Sequence, residues 1–103
     1  MTEYDLRKKA RKICEKRGWR CWFAPRVKFS TAQDIFNAFD MLVLFQNNEV
    51  GFIQITTRDH LANRHKKIAA IFADSGFPRF CSIWAYDKQK KLFIEKYLNK
   101  SNG

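Results

Sequence analysis

The chain alternates between segments whose apolar residues recur every three to four positions and segments where they recur every second position or run together. Leu6, Ala10, Ile13 and Cys14 fall on one side of a helix that Thr2 can cap, with Asp5 in its first turn, and Gly18 supplies the stop. Trp19 to Phe23 is short, aromatic and alternates around Arg20, a strand ended by Pro25. From Arg26 to Asn37 no period is evident, so a loop with at most a helical turn is expected. Phe39 to Phe45 and Val50 to Ile55 are strand-length apolar runs separated by Gln46-Asn47-Asn48-Glu49, which predicts a hairpin. Leu61, His65, Ile68, Ala69 and Phe72 mark a second helix, with Gly76 and Pro78 beyond it. Phe80 to Tyr86 and Leu92 to Leu98 are two further strands joined by a polar turn. The order is α-β-β-β-α-β-β, which predicts one α/β domain over 1–100, a central mixed sheet flanked by helices, and a loose tail over 101–103.

Composition changes this picture in two ways. At 103 residues and 46% hydrophobic, with ten Phe, three Trp and three Tyr, the chain has material for one core. It needs neither disulfides nor a structural metal, and the odd set Cys14, Cys21 and Cys81 reads as reduced, buried thiols. No segment has the length of a membrane span and the first twelve residues are polar, so a cytoplasmic, intracellular protein with no membrane partner is expected. The second change is charge. Twenty Lys and Arg stand against ten acids, a formal +10, and ten of the twenty lie between Arg7 and Lys28. A polyanion is the expected partner, with Lys8, Arg11, Lys12 and Lys16 on one face of the first helix. Arg20, Arg26 and Lys28 beside aromatic residues, and Arg64, Lys66 and Lys67 on the second helix, are further candidates for phosphate contacts. Trp19, Trp22 and Trp84 are candidates for base stacking, although most aromatic residues are expected in the core. His60 and His65, five apart, read as packed or surface histidines.

The residue that stands out is Asp40, a carboxylate at the start of an otherwise apolar strand, where a charge needs a partner. Counting back from a turn centred on Asn47-Asn48, or one residue later, places it across from a residue between Ile55 and Thr57. Gln54, Thr56 and, if the strand persists, Arg58 then share one face. A helix, an acid opening one strand of a hairpin, a triplet of chemically distinctive residues in the next strand and a second helix together resemble the core of the PD-(D/E)XK nucleases, the archaeal Holliday-junction resolvases among them. The segments Asp34-Ile35-Phe36-Asn37-Ala38-Phe39-Asp40 and Ile53-Gln54-Ile55-Thr56-Thr57 carry the resemblance, which extends over 6–97.

The resemblance implies a restriction-endonuclease-like fold, a DNA partner and Mg²⁺-dependent phosphodiester cleavage. Carried over residue by residue, Asp40 takes the place of the first acid, Gln54 that of the second acid and Thr56 that of the lysine. Glu3 stands where some members have a helix-borne acid. Asp34, Asp40 and Gln54 become the candidate metal ligands, and Asp40, Gln54, Thr56 and Arg58 the candidate catalytic set. Gln54 can offer a carbonyl oxygen but removes a negative charge, and Thr56 cannot replace an ammonium. Arg58, Lys66 or Lys67 would have to supply the missing positive charge. The alternatives are a relative that binds DNA without cutting it, a double-stranded-RNA-binding module, which also runs α-β-β-β-α with a lysine pair in its last helix, and an interaction domain, dimeric through a strand or an aromatic patch.

Overall fold

A computed structural model describes residues 2–25, 34–36 and 38–98. Arg26 and Lys28, most of the expected loop and the expected tail lie outside the described residues.

The first helix, α1 (Glu3–Lys16), begins at a capping box: the Thr2 hydroxyl accepts the Asp5 N–H, and the Asp5 carboxylate accepts the Thr2 N–H at 3.0 Å. It ends where Gly18 adopts φ +76°, a conformation that lets the Trp19 N–H return to the Cys14 carbonyl at 2.8 Å. Five strands follow: β1 (Arg20–Phe23), β2 (Met41–Leu44), β3 (Val50–Thr57), β4 (Cys81–Asp87) and β5 (Leu92–Tyr97). A short 3₁₀ turn (Arg58–His60) and α2 (Leu61–Ile71) connect β3 to β4. The strands lie side by side in chain order, all antiparallel neighbours except β3 and β4, which are parallel because α2 carries the chain back across the sheet. The expected α/β architecture, a mixed sheet flanked by helices, is what forms.

The two helices take opposite faces of the sheet. Leu6, Ala10 and Cys14 of α1 pack with Met41, Val43, Ile53, Ile55, Trp84 and Phe93, whereas Ile68 of α2 packs with Phe39, Cys81 and Ile83. All seven residues of β4 are buried, which accounts for a sequence run with little alternation. At the start of β3, Gly51 pairs with Val43 beneath the Phe45 ring. A Cβ there would come within 2.7 Å of that ring and 2.9 Å of Val43, so only glycine allows this approach.

The hairpin register corrects the count from sequence. Met41 pairs with Ile53 and Leu44 with Val50, so continuing the ladder sets Asp40 across from Gln54, not from 55–57. The turn causes the difference. The Phe45 N–H bonds the Glu49 carbonyl and the Asn48 N–H bonds the Phe45 carbonyl, with Asn48 at φ +68°, a five-residue loop centred on Asn47.

Candidate functional site

Strand β2 gives up its pairing before β3 does. β2–β3 pairing ends at Met41–Ile53, while β3 continues to Thr57 with β4 along its other edge. Without a substitute, the Ile55 N–H would be a buried donor with nothing to meet it. Asp40 provides the substitute: its Oδ1 accepts the Ile55 N–H at 3.1 Å, and its own N–H donates to the Ile53 carbonyl at 3.1 Å. The carboxylate is 1% exposed and continues the ladder by means of a side chain.

Gln54 faces it. The Gln54 Nε2 donates to the Ile55 carbonyl at 3.2 Å and lies 3.5 Å from Asp40 Oδ2. Beside a carboxylate the NH₂ side of the amide is the favourable one to turn inward, because the carbonyl oxygen would meet like partial charge. The position therefore presents donors toward Asp40 where the resemblance leads one to expect a second acceptor.

Asp40, Gln54 and Thr56 open onto a surface cleft of about 560 Å³ at the C-terminal end of β3. Its other walls come from distant parts of the chain: Glu3 and Leu6 at the start of α1, Asp34 ahead of β2, and His60 and Arg64 from the 3₁₀ turn and α2. Glu3 is ion-paired with Arg7 at 3.4 Å, and Arg7 also donates to the Ala24 carbonyl at 3.0 Å and lies over the Phe23 ring.

The cleft thus gathers Asp34, Asp40, Gln54, Thr56 and Arg64 from the residues singled out in sequence, together with Glu3. Arg58 is not among its lining residues. The strand ends at Thr57, and the 3₁₀ turn swings Arg58 to the end of β4, where its guanidinium meets Asp87 Oδ2 at 3.3 Å. Asp87 also accepts the N–H groups of Lys90 and Gln89, and those backbone bonds, Lys90's foremost, hold its carboxyl below the usual carboxylate range. Lys66 and Lys67 are exposed on α2 and do not line the cleft either. Among the described residues the guanidinium that does is that of Arg64, already a phosphate-contact candidate by its charge, one turn from His60, which had read as a packed or surface histidine. Both lie where the crossover helix begins, the one place from which α2 can reach the end of β3.

Lys8, Arg11, Lys12 and Lys16 are exposed along α1 as expected, with the Arg11 guanidinium 5.1 Å from the Phe23 ring centre. Of the tryptophans, Trp84 is core and Trp19 packs edge-on against Phe45, which leaves Trp22, 52% exposed on β1, with a face for stacking.

The donor set bears on Mg²⁺. A hard cation takes several oxygen ligands, of which carboxylates supply most of the charge. In this arrangement Asp40 Oδ1 is engaged by a backbone donor and Gln54 directs its Nε2 toward Oδ2. Among the described residues no three His, Cys, Asp or Glu side chains are grouped so as to hold a metal ion. None of the helices among these residues is long and apolar enough to cross a membrane. No family model matches the chain, and no curated protein or solved structure is similar enough to count as a match.

Proposed function

We propose that the protein binds DNA through the cleft at the end of β3 as a restriction-endonuclease-like domain that holds the phosphodiester backbone without hydrolysing it. The element order supports the fold reading: an opening helix, a three-strand antiparallel meander, a crossover helix and a parallel fourth strand. Two strands after α2, the first of them wholly buried, and helices on opposite faces favour it over a double-stranded-RNA-binding module. The observation that carries the loss of cutting is Gln54, set opposite Asp40 with its amide hydrogens turned inward. A cleavage site needs acceptors there to hold a cation, and a base or ammonium near the attacking water. Thr56 supplies neither.

Binding remains chemically sound. Arg7 offsets Glu3, the Asp40 carboxylate is buried on a backbone donor, and Arg64 presents a guanidinium fork suited to a phosphate. His60 adds a second donor at the rim. In a binding and cleavage assay on duplex, single-stranded and branched DNA with Mg²⁺ or Mn²⁺, the wild type binds without cutting. Arg64→Gln weakens binding about tenfold, while Asp40→Asn, which keeps the acceptor for Ile55, leaves affinity within about twofold. Metal-dependent cutting that disappears in Asp40→Asn would overturn the reading, and so would an absence of DNA binding.

A further inference from the structure

A second basic concavity lies away from the Asp40 cleft, between α1 and the β4–β5 hairpin. Lys9 and Lys12 form one wall and Lys91 the other, over a volume of about 360 Å³ with Tyr86 and Phe93 at its floor. It adjoins a hollow of about 330 Å³ that shares Lys9 and Lys12 and adds Lys8. At about 100° per residue, Lys9 and Lys12 are turned well away from Glu3 around the helix. They therefore face something other than the cleft's occupant.

The carboxylates that line the two hollows are already engaged. Glu95 is gripped by the Arg17 fork at 3.0 and 2.6 Å, and Asp5 accepts the Thr2 N–H and hydroxyl, each at 3.0 Å. The ion pairs among the described residues, Arg7–Glu3, Arg17–Glu95, Arg58–Asp87 and Arg79–Glu49, all use arginine. Lys9 lies over the Tyr86 ring, its Nζ 5.6 Å from the centre, and none of Lys9, Lys12 and Lys91 is in an ion pair with another described residue, so their charge faces an external anion. Lys91, at φ +57°, is fixed by its N–H to the Asp87 carbonyl at 2.7 Å, which sets the far wall. A recessed channel with cations on both sides suits a ridge of phosphates better than the flat face of a bilayer.

We infer that this groove is a second phosphodiester-backbone site, taking a nucleic-acid segment apart from the one in the Asp40 cleft. The inference rests on the nucleic-acid reading above. Its test is the salt dependence of duplex-DNA binding by the full chain, comparing Lys12→Gln/Lys91→Gln, which removes one charge from each wall, with Lys88→Gln/Lys96→Gln, which removes two charges outside the groove.

The groove variant is expected to lower the slope of log affinity against log salt by about 1.8, since each duplex phosphate contact contributes about 0.9, and to weaken binding about tenfold. The control pair is expected to keep the wild-type slope. All four positions are exposed, and matching thermal unfolding confirms that both variants fold. Equal slopes for the two variants overturn the groove while leaving the cleft reading intact. Binding of anionic vesicles that needs Lys12 and Lys91, with DNA binding unaffected, also overturns it. Wild-type protein that binds no DNA sinks both readings. DNA cutting by the wild type with a normal groove effect sinks only the proposed loss of catalysis.

Discussion

The two ends of β3 are built on different physics. At its N-terminal end, Gly51 lies under the Phe45 ring, and Trp19, Phe80 and Trp84 close an aromatic pocket of about 110 Å³. Fit there is mainly a matter of volume, in a lining that is largely aromatic and aliphatic. At the C-terminal end, β2 has gone, Asp40 carries on the hydrogen bonding, and five separate segments converge on a polar cleft. Strands that stay paired bury their backbone groups at no further cost. A strand that loses its neighbour must recruit side chains, and those side chains are where chemistry becomes possible.

This contrast can be broken experimentally, beginning with the largest effect. Trp84→Ala empties the apolar end and should cost about 3–5 kcal/mol in denaturant unfolding. Gly51→Ala, which forces the Phe45 ring and Val43 aside, should cost about 1–3 kcal/mol. At the polar end, Asp40→Ala leaves the Ile55 N–H unsatisfied and should cost about 1–3 kcal/mol, whereas Asp40→Asn should recover most of that. An equal loss in Asp40→Asn would mean that charge, not the ladder bond, is what the site needs from this residue.

Two smaller effects separate the ends by pH. Asp87, at the same end of the sheet as the cleft, has a depressed pKa, so its contribution to stability is complete above the free carboxylate value of about 3.9 and is lost as pH falls through its lower folded value. Asp87→Asn should flatten the acid side of the stability curve. Cys81, at the aromatic end, is pushed up to about 11 by burial. The raised value reverses the sign: its contribution is complete below about 8.5, the free thiol value, and is lost as pH rises toward 11. Cys81→Ala should therefore soften the alkaline decline. Cys14, pushed up to about 12 by the same cause, should join Cys81 in resisting thiol reagents at pH 8, leaving half-buried Cys21 as the fastest to label by mass spectrometry.

Much of this was legible in the sequence, and what was not has identifiable causes. The capped first helix, the Gly18 stop, both hairpins and the crossover helix follow from periodicity and turn chemistry, which act over a few residues. The pairing of Asp40 with Gln54 was missed by one position because the five-residue loop is centred on Asn47, a matter of backbone conformation at Asn48 that composition does not specify. Arg58 was misplaced by extending the period of two past the end of β3, where the 3₁₀ turn takes over. Arg64 was singled out by charge as a phosphate contact, but its place beside Asp40, and that of His60, could not be read from spacing, since the crossover brings them to the same cleft. Asp34 and Glu3 were pointed to by the family resemblance rather than by any local pattern.

At the polar end Gln54 sets an amide across from Asp40, where the metal-assisted cleavage that we propose the protein lacks would need a second acid. The most direct measurement is the thermal-unfolding midpoint in excess Mg²⁺ and in chelator, for the wild type and for Gln54→Glu. The wild type should show no shift, and Gln54→Glu, which replaces the inward NH₂ with a second carboxylate, should gain about 5 °C from the cation. A wild-type midpoint that rises with Mg²⁺ as much as the variant's would contradict that proposal.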